Sequence, residues 1–325
     1  MIETWKKSEL DRLTRAHGIR YAKALGQNFL ADRNTLERIA DAAELSPEDH
    51  VVEIGSGLGA LTIVLAQSAG RVTAVEIDRR LVPALREAAD GLPNIDVVQE
   101  DFLKFELRGI AAPFKVVGNL PYYITTPIIA KLYEQGGAPA QRIGQSALDG
   151  GERDGEPVLD DGAPARRIGQ SAPDGGEQGG EPVPDGGAPA LAVLMMQKEV
   201  AERIVSPPGK KAYGAISVLV QYYTEAEILF PVSREVFVPK PGVDSAVVRL
   251  RPGDLSSDDA ETAARMFRLV RAGFDMRRKT LRNSLARAGF PEAALLAALE
   301  TAGIDPGRRA ETLSPRDFYD LAASL

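Results

Sequence analysis

The sequence predicts an α/β fold, a doubly wound and mostly parallel seven-stranded sheet with a small C-terminal all-α domain. Three observations lead there. Buried-strand runs alternate with helical periodicity along most of the chain, a glycine-rich turn follows the first strong strand, and beyond Arg251-Pro-Gly-Asp254 the pattern is helical only.

Val51, Val52 and Ile54 are apolar and β-branched, as a strand covered on both faces requires, and Leu58 to Ala69 follows with apolar residues at helical spacing. Arg71 to Glu76 and Ile95 to Gln99 read as strands on either side of a helix over Arg79 to Ala89. Lys115 to Gly118 is a further strand, followed by a helix from Thr126 to Glu134, a strand over Leu191 to Gln197 and a helix over Lys198 to Val205. Glu225 to Val232 and Ser245 to Leu250 form a closing pair of strands. In the tail, Ala263, Met266, Phe267, Val270 and Phe274 share one helical face, and Leu281, Leu285 and Ala288 continue on a second helix. The expected division is a catalytic domain over 1–252 and a helical domain over 253–325.

Between Gly136 and Ala190 the alternation stops. Gly-Ala-Pro-Ala recurs at Gly137, Gly162 and Gly187, a period of 25, and the heptapeptide from Gln141 returns almost unchanged from Arg166. Solenoid repeats carry several large apolar residues per unit, whereas these are built of Gly, Pro, Asp and Glu and bury too little to offset their ordering entropy. The segment is expected to be a disordered insertion in a surface loop. It also explains the net charge of −7, because it holds 4 basic and 10 acidic residues against 35 and 36 elsewhere. Conversely, Arg265 to Arg287 carries eight basic residues and the single acid Asp275, a positive patch of the kind that meets phosphate.

The absence of cysteine removes disulfides, thiolate nucleophiles and cysteine zinc sites, and two isolated histidines, His17 and His50, make no histidine-rich metal site. No run reaches the roughly 20 apolar residues of a membrane span. The expectation is a soluble cytoplasmic protein without metal.

The first strand leads into Glu53-Ile-Gly55-Ser-Gly57-Leu-Gly59, where glycines permit a tight turn and close approach of a ligand to the backbone. Gly55, Gly57 and Ala60 also satisfy the dinucleotide fingerprint, with Glu76 at the ribose-binding distance. Glu53 argues for a different cofactor: a carboxylate two residues before the first glycine suits the cationic amino group of S-adenosylmethionine and sits poorly beside a pyrophosphate. Asp101, after the third strand, stands where a carboxylate can accept from an adenine amino group. The fourth strand ends in Asn119-Leu120-Pro121-Tyr122. The lone pair of an adenine amino nitrogen is delocalised into the ring; an Asn carbonyl and a backbone carbonyl fixed by proline can accept from its hydrogens and favour a pyramidal, nucleophilic nitrogen, while an aromatic ring holds the base by stacking.

Together, Gly26-Gln27-Asn28-Phe29-Leu30, the Glu53 to Gly59 loop, Glu76, Asp101, Asn119 to Tyr122, Phe237-x-Pro-x-Pro-x-Val-Asp-Ser245, Phe274-x-x-Arg-Arg-Lys-x-Leu-x-Asn-x-Leu285 and Arg309-Ala-Glu-x-Leu-Ser314 resemble the ribosomal RNA adenine dimethyltransferase family, nearest to its small-subunit, kasugamycin-sensitivity branch. The resemblance implies a Rossmann-like S-adenosylmethionine methyltransferase fold. It implies that Gln27, Asn28 and Leu30 help close the cofactor site, that Gly55, with Gly57, approaches the methionine part, that Glu76 binds the ribose hydroxyls and Asp101 the adenine, and that Asn119 serves both cofactor and target base. Phe237 would stack on that base opposite Tyr122. The basic patch itself assigns Arg277, Arg278 and Lys279 to contact with the RNA backbone. The implied reaction is N6,N6-dimethylation of two neighbouring adenosines in the 3′-terminal hairpin loop of small-subunit RNA. The implied partner is a late small-subunit assembly particle, approached by a monomer away from any membrane. The Phe274 to Leu285 and Arg309-Ala-Glu motifs argue against a large-subunit methyltransferase of the antibiotic-resistance kind, and the intact Asn119 to Tyr122 loop favours turnover over a non-catalytic assembly or transcription factor. Tyr123 departs from the family, where Asn is common.

Overall fold

The computed structural model describes residues 2–19, 27–121, 124–133, 187–253, 259–276 and 278–325. Its elements begin with α1 (Lys7–Ala16), the short strand β1 (Phe29–Leu30), α2 (Arg33–Ala42), β2 (His50–Ile54), α3 (Ala60–Ala66), β3 (Arg71–Glu76), α4 (Val82–Ala88), β4 (Ile95–Gln99), β5 (Phe114–Asn119) and α5 (Thr125–Tyr133). They continue with β6 (Leu191–Gln197), α6 (Lys198–Ile204), α7 (Ala215–Tyr223), β7 (Thr224–Val232), β8 (Phe237–Val238) and β9 (Ser245–Pro252). The tail holds α8 (Ala260–Phe274), α9 (Leu281–Arg287), α10 (Glu292–Thr301) and α11 (Pro315–Ala323).

Seven strands form one sheet in the order β4-β3-β2-β5-β6-β9-β7, the first five parallel, β9 antiparallel to β6 and β7 antiparallel to β9, so the sheet is mostly parallel as the alternation predicts. Side-chain alternation sends Val52, Ile54 and Val116 into the cluster beneath α5 and α7, and Val51, Val117 and Val193 into the cluster beneath α2 and α3. Both faces are therefore covered, which is why the strands read as continuous apolar runs. β1 and β8 form a separate antiparallel ribbon, Phe29 opposite Val238 and Leu30 opposite Phe237.

Two predicted helices start late for identifiable reasons. α3 begins at Ala60 rather than Leu58 because Gly57 and Gly59 hold φ of 59° and 84°, a left-handed conformation that keeps Leu58 in the turn. α4 begins at Val82 rather than Arg79 because Asp78 Oδ1 accepts from the Arg80 N–H at 3.0 Å and its carbonyl from Leu81, forming a turn first. The expected helix over Thr126 to Glu134 is observed as Thr125–Tyr133; Glu134 lies outside the described residues. So does the repeat insertion through residue 186, while its last residues lead into β6, the Ala190 N–H donating to the Phe114 carbonyl at 2.9 Å.

In the tail, Asp259 caps α8 by accepting from Thr262 N–H at 2.8 Å, and Ser314 and Asp317 cap α11 reciprocally at 3.0 and 3.1 Å. The tail does not own a separate core. Val52, Tyr222 and Tyr223 belong to the same buried cluster as Phe267, Phe274 and Phe318, with Tyr222 edge-on to Phe267 at 5.5 Å. Tyr213 donates to the Leu313 carbonyl at 2.8 Å.

Candidate active site and its relatives

The strand order reverses between β2 and β5, so the crevice outside the carboxyl ends of β4, β3, β2 and β5 is the place where a doubly wound sheet binds ligands. An open cleft of about 1180 Å³, part of it solvent, lies there. Its lining includes Gln27, Asn28, Leu30, Glu53, Gly55, Gly57, Glu76, Asp101, Asn119, Leu120 and Pro121, so residues drawn from five separate stretches of sequence meet at one site.

Glu53 is buried at the end of β2 and its Oε2 accepts from Thr62 Oγ1 at 2.5 Å. Burial pushes its carboxyl up to about 7, the Thr62 hydroxyl opposes this, and the nearby charge of Glu76 adds to it. Glu76, ending β3, is buried too; burial raises its carboxyl although Oε1 accepts from Asp78 N–H and Oε2 from Gly57 N–H, each at 2.8 Å. Glu76 thereby ties the glycine turn to the neighbouring strand. In that turn Gly55 has φ of 71°, and a Cβ on Gly57 would meet the Phe29 ring at 3.1 Å, so the ribbon and the loop fit only without a side chain there.

Asp101 opens the turn after β4. Its Oδ1 accepts from Leu103 N–H at 2.9 Å, and its other oxygen has no partner among the described residues. Asn119 Nδ2 donates to the Asn28 carbonyl at 3.2 Å. Because that partner is an acceptor, the amide is held with its nitrogen toward Asn28, which leaves Oδ1 as the available acceptor. The Pro121 carbonyl accepts from Ile124 N–H at 3.2 Å at the start of α5, whereas the Leu120 carbonyl has no partner among the described residues. Tyr122 lies outside them.

The lining contains four carboxylates, Glu53, Glu76, Glu100 and Asp101, and among the described residues no Lys, Arg or His. A pyrophosphate would meet four carboxylates and no side-chain cation there, while a sulfonium or an ammonium group would be attracted. The residues present fit S-adenosylmethionine and do not fit a nicotinamide dinucleotide.

The placement of Phe237 differs from an open stacking platform. It is 3% exposed, packed in β8 opposite Leu30, and Leu30 rather than Phe237 lines the cleft. Arg278 and Lys279 are exposed before α9, without an ion pair among the described residues, and Arg277 lies outside these. Arg265 and Arg282 are engaged, the first donating to the Ala322 carbonyl at 2.9 Å and the second pairing with Glu292.

Sequence reasoning missed Asp78, Thr62 and Leu10. Buried Asp78 accepts from Gln27 Nε2 at 2.7 Å and pairs with Arg80 at 2.6 Å, fastening the segment before β1 to the end of β3. Burial opposes ionisation of Asp78, yet the hydrogen bonds from Arg80 and Gln27 hold its carboxyl below the ordinary value. Leu10 reaches the cleft from α1, which the apolar spacing of Leu10 and Leu13 would have revealed. Among the described residues no group of His, Asp and Glu is arranged to hold a metal, and no helix is long and apolar enough to cross a membrane.

The chain resembles known proteins over nearly its whole length. The family model described as ribosomal RNA adenine dimethylase matches residues 19–148 and 185–325, leaving most of the repeat insertion unmatched. The chain is 39% identical to ribosomal RNA small subunit methyltransferase A of Pelotomaculum thermopropionicum over 100% of this chain and 98% of the relative. It is 38% identical to the protein of the same name in Enterococcus faecalis, over 98% and 95%. Among solved structures, the 23S rRNA methyltransferase ErmE aligns with a TM-score of 0.59 at 30% identity, over 92% of this chain and 99% of that one. A dimethyladenosine transferase from Plasmodium falciparum aligns with a TM-score of 0.65 at 24% identity, over 90% and 95%, which supports the fold. A cleft built for a cationic cofactor beside an Asn-Leu-Pro strand end, with the family match spanning both sides of the insertion, places the chain in the ribosomal RNA adenine dimethylase family.

Proposed function

We propose that this protein transfers methyl groups to N6 of two adjacent adenosines in the 3′-terminal hairpin loop of small-subunit (16S) rRNA, giving N6,N6-dimethyladenosine, and that it acts as a cytoplasmic monomer on a late assembly particle. The observation that carries this reading is the placement of Asn119 Oδ1 and the Leu120 carbonyl, two acceptors without partners among the described residues, at the rim of a cleft lined by carboxylates and no cation. The names of the relatives at 38–39% identity support the small subunit as substrate.

S-adenosylmethionine, when bound, supplies a methyl group carried on a cationic sulfur. The chain's own residues hold the two reactants. Glu53 would face the ammonium of the amino-acid part, Glu76 would accept from the ribose hydroxyls, Gly55 and Gly57 would clear the backbone, and Asp101 would accept from the adenine amino group. In the first transfer Asn119 Oδ1 and the Leu120 carbonyl accept from the two hydrogens of the target N6, and in the second one of them accepts from the single hydrogen left. Each time the lone pair is drawn out of conjugation to form the N–CH3 bond as the S–CH3 bond breaks onto sulfur, and one N6 proton is lost to solvent. Pro121 fixes the chain beside them, and Tyr122 stacks on the base. Phe237 belongs to this proposal as the second stacking ring only if the β1–β8 ribbon yields to bound RNA. Arg277, Arg278 and Lys279 supply phosphate contacts from the tail.

The test is transfer of labelled methyl groups to unmethylated small subunits, large subunits and naked RNA. Label in N6,N6-dimethyladenosine of small subunits is the expected result. Preferential labelling of large-subunit RNA, or none in any substrate, would reject the reading.

A further inference from the structure

The turn that carries Asp101 is held from outside the cofactor cleft by one cation. Lys131 lies on α5, about two turns beyond Ile124, whose N–H donates to the Pro121 carbonyl. Its Nζ donates to the Leu103 carbonyl at 2.8 Å and stands 5.7 Å from the centroid of the Phe102 ring, within cation–π range. The backbone of Leu103 is thus held at both ends, its N–H donating to Asp101 Oδ1 and its carbonyl accepting from Lys131. Phe102 and Asp101 both line the cleft. Burial lowers the Lys131 ammonium, opposed by the charges of Asp101, Glu100 and Glu106, so the amine sits among the carboxylates of this turn and returns a positive charge to them.

The geometry points to Lys131 as a positioning residue for cofactor recognition: by fixing the Leu103 carbonyl and the Phe102 ring it sets the angle at which Asp101 meets the adenine amino group, and it ties that turn to the helix that starts at the catalytic loop. This rests on the reading that Asp101 accepts from the adenine amino group.

A base-edge acceptor distinguishes adenine, which donates at N6, from hypoxanthine, which presents a carbonyl there, whereas general loosening of the cleft weakens both alike. The full-length protein, its Lys131→Met, Lys131→Arg and Asp101→Ala variants are titrated with S-adenosylhomocysteine and with S-inosylhomocysteine, and their unfolding midpoints are measured alongside. The wild type is expected to prefer the adenosyl compound at least about tenfold and Asp101→Ala to lose that preference. Lys131→Met is expected to narrow it at least threefold at an unfolding midpoint like that of wild type, and Lys131→Arg, which keeps a donor, to retain it. Equal weakening of both compounds in Lys131→Met, an unchanged ratio, or the same loss in Met and Arg variants overturns the positioning role. A wild type without preference, or an Asp101→Ala that keeps it, overturns the Asp101 reading and the inference with it.

Discussion

Asn119 carries the sharpest consequence at the scale of single residues. Its nitrogen is committed to the Asn28 carbonyl, so replacing the amide removes both the acceptor and the tether to the segment before β1. Asn119→Ala is expected to lower turnover by about two to three orders of magnitude, the usual cost of deleting a positioned transition-state partner, with the fold intact by circular dichroism. Retention of more than a tenth of turnover would remove Asn119 from the mechanism, and S-adenosylhomocysteine binding measured on the same variant separates its two duties.

Glu53 gives a pH signature with a definite sign. Its folded value of about 7 lies above the unfolded carboxylate value, so its contribution to stability is fully present below the unfolded value and is lost as pH rises through about 7. Glu53→Gln is therefore expected to stabilise the ligand-free protein at pH 8 by about 1–3 kcal/mol and to leave it unchanged at pH 4, read from denaturant midpoints. A cationic ligand favours the ionised form, so wild-type affinity for S-adenosylmethionine should rise on the order of fivefold from pH 6 to pH 8 while the variant binds weakly and without that slope. A wild-type profile as flat as the variant's would show that Glu53 is not the group facing the cation.

At the scale of elements, the start of α9 and the ribbon β1–β8 are the pieces whose roles are set by exposure. Arg278 and Lys279 are exposed and unpaired among the described residues, unlike Arg265 and Arg282, which are tied into the tail. Replacing Arg277, Arg278 and Lys279 together by Ala should weaken small-subunit binding and reduce the slope of log affinity against log salt by about one to three, without altering cofactor affinity. A lowered melting temperature with an unchanged salt slope would make the run structural instead. Phe237 shows the opposite case. The resemblance implied a ring free to stack on the target base, but pairing with Leu30 across the ribbon buries it, a contact between segments distant in sequence that no local pattern contains.

At the scale of the whole molecule, one buried cluster spans the sheet and the tail helices, so the two parts are expected to unfold in a single transition, and a chain ending near residue 252 should lose cooperative unfolding because it exposes Tyr222, Tyr223 and their neighbours. Calorimetry of the full chain and of the truncated one checks this, and two resolved transitions would restore an independent tail domain. Deleting residues 136–186 should change stability by no more than about 1–2 kcal/mol, since loop-closure entropy varies slowly with length. Loss of cooperative folding on that deletion would place the repeats in the core.

The sequence by itself determined the alternation of strands and helices, the glycine turn, the acids at the ends of successive strands and the Asn119-Leu-Pro end of β5, because each depends on side-chain periodicity or backbone freedom within a few residues. It left α1, α2, α7, α10 and α11 unread: α7 is apolar nearly all round, and α10 carries no clear apolar stripe, so periodicity had little to show there. Only the tertiary structure decided that Thr62 holds Glu53, that Glu76 fastens the glycine turn, that Lys131 grips the Asp101 turn and that Phe237 is buried. These contacts form where the order β4-β3-β2-β5 brings separate strand ends to one edge and packs helices over them, and burial there fixes each group's charge; a one-dimensional pattern records the groups but not which of them meet.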